Sequence, residues 1–268
     1  MDKKRKFVNR GVFCGEVQSE PILDHQIKDN DSGTVIKEYY AVDIEVEFEN
    51  KNKTVKDVSV LPFLLTKEQM EEMGGVSTGD ILFIKGEWRA YDRRLEDGRR
   101  QTVTRLLSRK AEKIEDFTRT RNKVEFEGIL KSKIHKAKFD EEGRLERDEK
   151  NRLVNILDEA GNKIPWIRKN PEGHVVNDFV LQVTKEMEKE GVMKVLYEDF
   201  IPCIAYGPVA WQIMKEIDLD TPVKARGYIR RRAKKGYEGE YVYEPVITRI
   251  TPMNEDQEVE VVVESNEE

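Results

Sequence analysis

No run of apolar residues in the 268-residue chain approaches the length of a membrane-spanning helix, for which about 20 are needed. The basic start, Met1-Asp2-Lys3-Lys4-Arg5-Lys6, leads into a strand pattern rather than the apolar stretch of a secretory signal. Cysteine is scarce: Cys14 and Cys203 lie far apart with no metal-type spacing. They read as buried free thiols of a cytoplasmic protein. The three histidines, His25, His135 and His174, are equally scattered and offer no metal set. There is no glycine loop to cradle a phosphate, no Ser or Cys elbow and no paired-carboxylate motif. The expectation is a non-enzyme with no catalytic residues, metal or cofactor. Hydrophobic residues make up only 38% and charged residues 37%, which suits small barrels with narrow interiors and much surface.

Charge is present in both signs and unevenly placed. Residues 254–268 carry Glu255, Asp256, Glu258, Glu260, Glu264, Glu267 and Glu268 and no cation. Without those seven carboxylates the −6 chain holds 46 acidic against 47 basic residues. An acidic tail on a neutral body with basic stripes points toward a polyanion partner. A disordered solubilising tail is the plainer alternative.

The chain also repeats itself. Asn9-Arg10-Gly11-Val12-Phe13-Cys14-Gly15-Glu16-Val17 is echoed by Asn122-Lys123-Val124-Glu125-Phe126-Glu127-Gly128-Ile129-Leu130, and Gly79–Arg89 returns as Asp220–Arg230. A period this long means two copies of a domain. In the first copy, alternation predicts strands over 9–17, 38–48 and 55–65, with a polar loop between the first two. Thr66-Lys67-Glu68-Gln69 then reads as a capping box opening a short helix, before strands 80–91 and 100–109. The second copy predicts strands 122–130, 176–185 and 195–206, a helix opened by Gly207-Pro208, and strands 222–232 and 240–250. Its departure is an insertion over about 131–174, where the turn signals Asp140–Gly143 and Asp158–Asn162 predict an extra hairpin.

Three strands, a short helix and two strands form the layout of the OB-fold, a five-stranded Greek-key barrel. The fold class is therefore all-β with short helices, a tandem OB-fold whose second copy carries the insertion. Expected boundaries are 1–117 and 118–253 for the barrels and 254–268 for the tail, with a short basic linker, Phe117–Arg121, holding the barrels close. Gly15 and Gly128 suit a sharply coiled first strand, and Gly86 and Gly227 the same bend in the fourth.

Asp199-Phe200-Ile201-Pro202-Cys203-Ile204-Ala205-Tyr206-Gly207, Asn177–Val183 and Val223–Arg232 resemble the third, second and fourth strands of the bacterial single-stranded DNA-binding protein family. The resemblance spans about 122–132 and 176–253, with a looser match in the first copy. It implies that Phe200 and Tyr206 are base-stacking aromatics, and that two such chains form a homodimer presenting four barrels. It also implies that an acidic tail recruits replication or recombination proteins. This chain ends Val263-Glu264-Ser265-Asn266-Glu267-Glu268 instead of the family's Asp-Ile-Pro-Phe, which leaves that recruitment open.

Both copies concentrate arginine in one hairpin. The first, 89–110, holds Arg89, Arg93, Arg94, Arg99, Arg100, Arg105, Arg109 and Lys110 against Asp92, Glu96 and Asp97. The second, 224–237, holds Lys224, Arg226, Arg230, Arg231, Arg232, Lys234 and Lys235 with no acid within it. Guanidinium groups pair with phosphate and stack on bases. The nucleic-acid site is expected at Trp88, Arg89, Arg93, Arg94, Arg99, Arg100, Phe200, Tyr206, Arg226, Tyr228, Arg230, Arg231, Arg232 and Lys234. The aromatics among them could equally be barrel core. Trp88 is expected to point away from the Phe83 side, Trp211 to lie in the core, and Trp166 either to extend the nucleic-acid path or to pin the insertion. These features suggest sequence-independent coating of single-stranded DNA in replication, recombination or repair. A primosome-type or mobile-element accessory protein, a single-stranded RNA binder and a protein–protein scaffold remain the alternatives.

Overall fold

The computed structural model describes residues 8–29, 31–48, 57–94, 100–115, 121–136, 138–142, 146–149, 154–161, 163–164, 166, 168–170, 173–189, 192–234 and 239–253, with backbone alone over 91–94, 100–102, 187–189 and 192–193. The acidic tail, the interior of the linker and Arg99 fall outside these residues.

Period-two alternation sets the strands of the first barrel: β1 (Asn9–Val17), β3 (Val35–Phe48), β4 (Asp57–Thr66), β5 (Ile81–Arg94) and β6 (Arg100–Lys113). Alternate side chains, among them Phe13, Ile44, Leu61, Phe63, Leu82 and Leu106, point inward and are fully buried. β1 pairs with both β3 and β5, and β4 meets β6 in parallel at Phe63 and Leu106, which closes the barrel. The second barrel repeats this with β7 (Arg121–Lys133), β9 (Val175–Lys189), β10 (Val192–Tyr206), β11 (Pro222–Ala233) and β12 (Tyr241–Pro252). Its parallel closure joins Ile204 to Val246. The protein is a tandem OB-fold.

The two short helices sit as their caps dictate. α1 (Lys67–Glu72) has the reciprocal box: Thr66 Oγ1 accepts from the Gln69 backbone N–H at 3.3 Å, and Gln69 Oε1 accepts from that of Thr66 at 3.0 Å. α2 (Gly207–Lys215) opens with Pro208 and buries Ala210, Ile213 and Met214. Trp211 departs from the expectation. It lies half-buried on the outer side of α2, with Lys215 Nζ 4.6 Å above its ring. The coiled-strand glycines are required by close approach: a Cβ at Gly15 would lie 2.0 Å from the Glu45 carbonyl oxygen, and one at Gly227 1.9 Å from that of Val246.

Two segments differ from the sequence reading. The predicted polar loop after β1 contains β2 (Ile22–Lys28), an edge strand paired with β3. All seven of its residues are exposed, so it carries no burial-driven periodicity to read. The insertion is not a simple hairpin. Lys136 N–H donates to Ile164, Ile164 to Ile156 and Ile156 back to Lys136, at 2.9, 3.1 and 2.8 Å. A second ring joins Lys138, Val154 and Glu146 in the same way. Each segment gives its neighbour one hydrogen bond around a three-sided stem, and the chain then rejoins the barrel at β8 (Arg168–Lys169) beside β9.

The barrels share one sheet. β1 runs antiparallel to β7, from Asn9 opposite Phe126 to Cys14 opposite Arg121. Phe13 and Phe126 both point inward, so both barrels lie on one side of the sheet β6-β5-β1-β7-β11-β12. The repeated asparagines explain themselves here. Asn9 brackets the backbone of Trp88 with bonds of 2.6 and 3.1 Å, and Asn122 brackets that of Ile229 at 2.8 and 2.9 Å. Each holds the fourth strand of its own barrel beside the bulge that bends it.

Candidate nucleic-acid interface

The outer wall of the second barrel gathers aromatics and arginines from four strands. Tyr206 and Tyr228 are half-buried against Val176, Ile204 and Val246, forming a small apolar floor outside the barrel. Arg230 lies 5.3 Å from the Tyr206 ring and donates through Nη2 to the Tyr206 hydroxyl at 2.6 Å. Phe200, three pleat repeats before Tyr206 on the same face of β10, is 49% exposed. The face of Tyr228 is covered by Phe48 of the first barrel, with ring centroids 4.6 Å apart and 15° between planes. Phe200 is thus an open stacking face, Tyr206 a partly open one, and Tyr228 a wall already stacked from one side.

Cations here are balanced by acids that the hairpin's own sequence does not contain. Glu244 on β12 accepts from Arg230 at 2.6 Å and from Arg232 at 3.0 Å. Arg226 pairs with Glu125 of β7, and Lys234 pairs with Glu240 at 2.6 Å. Arg231 has no acidic partner among the described residues and lies 4.3 Å over the Tyr241 ring. Two donors remain unspent: Arg230 Nε and Arg168 Nε are buried without a hydrogen-bond partner among the described residues. An unpartnered buried donor is costly.

Arg168 donates to Asp178 at 2.6 Å. Burial pushes the Asp178 carboxyl above its usual range and Glu244 adds to the shift, while Arg168 and Arg232 oppose it. Taking up a proton removes one negative charge from the groove. Oligonucleotide binding is therefore expected to tighten by about two- to fivefold, the scale of one half-exposed charge, as Asp178 takes up its proton at a higher pH than an ordinary aspartate does. In Asp178→Asn this component of the pH dependence disappears and neutral-pH affinity rises. A titration by fluorescence anisotropy across that transition reads it, and an unchanged profile in Asp178→Asn refutes the assignment.

The first barrel is built differently at the matching places. Val60, Thr66 and Glu87 stand where the second barrel has Phe200, Tyr206 and Tyr228. Trp88 is a correction to the sequence reading: it is 2% exposed. Even-numbered side chains of β5 point inward with Leu82 and Ile84, so Trp88 does turn away from Phe83 but into the core, where no base can reach it. Arg89 is also not a free phosphate ligand. Its Nε donates to Asp199 of the second barrel at 2.5 Å and its guanidinium lies 3.5 Å over Tyr197. Arg93, Arg94 and Arg100 have described backbone only, in the paired arms of the β5–β6 hairpin.

Each arginine hairpin leans toward the other barrel, and the contacts match about a pseudo-two-fold. The Ala90 N–H donates to Asp199 at 3.3 Å, and the Arg231 N–H donates to Ser59 at 3.2 Å. Glu87 receives Arg109 at 2.6 Å, Lys185, and the Tyr197 hydroxyl at 3.1 Å, where the matched place on the other side has the Tyr228–Phe48 stack. Burial alone would raise the Glu87 carboxyl, but Arg109 and Lys185 outweigh it and hold it below the usual range. Burial pushes the Tyr197 hydroxyl well up, and the same Glu87 adds to the shift. Sequence reasoning missed Asp199 and Lys185 because their partners lie in the other barrel, and Glu87 and Glu244 because their partners lie on the paired strand rather than beside them in sequence.

The two closed barrels have counterparts among solved structures. The fold is a known one. A deletion and point variant of the single-stranded DNA binding protein from Thermus aquaticus aligns over 95% of this chain and 98% of its own, with TM-score 0.62 and 14% identity. The wild-type form of that protein aligns over 93% and 95%, with TM-score 0.59 and 13% identity. At these identities the likeness concerns the architecture, including both barrels in one chain. No family model and no curated protein matches the sequence. Among the described residues no helix is long and apolar enough to cross a membrane, and no cluster of three or more His, Cys, Asp or Glu could hold a metal.

Proposed function

We propose that the protein binds single-stranded DNA without sequence specificity, as a non-enzymatic coating protein in replication, recombination or repair, with the second barrel as the main stacking site. The observation that carries this reading is the row on β10: an exposed Phe200 and a half-buried Tyr206 bonded to Arg230. Bases of any identity stack on such rings, while cations follow the phosphates. Arg231, which lies over the Tyr241 ring with no acidic partner among the described residues, supports it as a cation placed to meet a phosphate. The first barrel, with Val60, Thr66 and Glu87 at the matching places, contributes charge rather than stacking.

The test is a titration with fluorescein-labelled oligo-dT at several salt concentrations. Log affinity falls linearly with log salt, at roughly −0.7 per neutralised phosphate for single strands. Affinity unchanged by salt would favour a protein–protein scaffold. Oligo-dU and oligo-rU in parallel separate DNA from RNA binding, because the two differ only at the 2′-hydroxyl. Intrinsic tryptophan emission is a poor reporter of the groove: Trp88 is core, Trp211 is on α2, and exposed Trp166 belongs to the insertion.

A further inference from the structure

The insertion rejoins the second barrel beside its aromatic wall, and the strand registers fix which side chains it turns toward that wall. On β9 and β10 the odd-numbered Phe179, Leu181, Ile201 and Cys203 fill the barrel. The even-numbered Val176, Asp178, Phe200, Ile204 and Tyr206 therefore face outward. β8 sets Arg168 opposite Val176, and Val176 stands opposite Tyr206, so one outward row crosses three strands. Trp166 precedes Arg168 by two residues, which puts it on the same side. The stem gives the same answer independently. Lys136 N–H donates to Ile164 at 2.9 Å and Trp166 N–H donates to Ile134 at 3.2 Å, so Ile134 faces Trp166 across an antiparallel pair. After the bulge that follows Leu130, Ser132 stands opposite the outward Val180, so Ile134, two residues on, is outward too. His135 and Lys163 take the opposite side, where burial and then the Lys163 charge hold the imidazole below its usual range.

The other border of the wall is the β11–β12 hairpin, where Glu244 holds Arg230 and Arg232. Asp178 stands between the two borders: it bonds Arg168 of the insertion and feels Glu244 and Arg232 of the hairpin. Trp166 is level with Asp178 and Ile204. Two strand spacings of about 4.8 Å put it roughly 10 Å across the wall from β10. Its ring is 43% exposed. A tryptophan that pinned the stem to the barrel would be covered by what it pins, and this one is open. Arg168, with its side chain 40% exposed, and the outward, exposed Lys136 make its surroundings cationic. The first barrel has no such arm, because the same connection there is β2, which lies along β3.

We propose that the insertion is the second lip of the groove on the second barrel, with Trp166 stacking on a base of a single strand held between it and the β11–β12 hairpin. This rests on the reading of the chain as a single-stranded DNA binder whose main stacking site is the second barrel. Phe200 and Tyr206 form the floor, and Trp166 adds a third ring from the side. Stacking tolerates any base, so the lip adds affinity without sequence preference. Trp166 is then the tryptophan that a bound strand meets, a component diluted in the total emission by core Trp88 and by Trp211 on α2.

The test titrates the full chain and its Trp166→Ala, Trp166→Phe and Phe200→Ala variants with fluorescein-labelled oligo-dT of about 15 nucleotides, near the upper site size of one OB-fold. Trp166→Ala weakens binding by about 5- to 100-fold, the scale of one stacked base, while Trp166→Phe keeps a ring and stays within about threefold. With unlabelled oligo-dT, wild-type tryptophan emission changes on binding, and in Trp166→Phe that change is lost although the DNA still binds. Trp166→Ala that binds like wild type while Phe200→Ala is weakened overturns the lip and leaves the groove reading intact. Wild-type protein that does not bind, or a Phe200→Ala variant that binds like it, overturns the groove reading and this proposal with it. A Trp166→Ala protein that loses affinity only together with a lowered melting temperature, with no emission change that Trp166→Phe removes, marks Trp166 as a pin for the stem and also overturns the proposal.

Discussion

Replacing Phe200 and Tyr206 together with alanine weakens oligo-dT binding by roughly 100-fold or more, since stacking contributes about 1–3 kcal/mol per base. Phe200 carries the cleaner half of this effect, because its ring is exposed on the outer wall of β10 and supports no core contact. Tyr206 is half-buried, packs on the apolar floor beside Val176 and Ile204, and immediately precedes α2. Its loss could loosen the wall as well as remove a stacking face. Tyr206→Phe separates the two roles: the ring remains, the acceptor for Arg230 is lost, and affinity falls by less than about tenfold, the scale of one hydrogen bond to a charged group. Val60→Ala, at the matching place in the first barrel, serves as the control and leaves binding within about twofold. A double variant that binds like wild type removes the groove as the stacking site, whatever the salt dependence shows.

The barrels were legible because their strands obey one local rule. Alternation of buried and exposed side chains predicts β1 over Asn9–Val17, the bounds the structure has, and the Thr66–Gln69 box predicts α1. Where burial does not act, the signal vanishes. β2 is exposed on both faces, so its residues have no reason to alternate, and its pairing with β3 could not be read. The insertion likewise holds itself by single hydrogen bonds between short segments rather than by a sustained apolar face. Trp88 shows the limit of composition arguments. A tryptophan beside an arginine hairpin suggests stacking, yet strand parity alone decides that it is core. One remaining gap is cross-barrel. Arg89 meets Asp199 at a separation of 110 residues, and no local pattern announces such a partner. The balance of the second arginine hairpin is misread for a different reason: its acids, Glu125 and Glu244, lie within the same barrel but on the strands paired to it.

Asp199→Ala is expected to be the most destabilising single exchange between the barrels. Asp199 is 2% exposed and accepts both the Arg89 guanidinium and the Ala90 N–H. Breaking a buried pair by removing one partner costs about 3–5 kcal/mol. Arg89 keeps some access to water, with its side chain 22% exposed, so the lower end applies. At about 2–4 °C per kcal/mol for domains of this size, the apparent Tm falls by roughly 6–12 °C. Asp199→Asn retains an acceptor for Ala90 and loses the charge, and falls between. Replacing both partners with leucine restores much of the loss, because the uncompensated buried charge is gone. The neighbouring Glu87 gives the pH signature of the same interface. Its carboxyl is held below the usual range, so its contribution is full above the ordinary carboxylate pKa of about 4.3 and is lost as pH falls through the lower folded value. In Glu87→Gln that acid-side loss is absent, at the expense of stability at neutral pH. Differential scanning calorimetry of the variants across pH 3 to 8 measures both effects. An Asp199→Ala protein that melts with wild type would mean that the Arg89–Asp199 contact contributes nothing to holding the barrels together, leaving that to the β1–β7 pairing and the other crossing contacts.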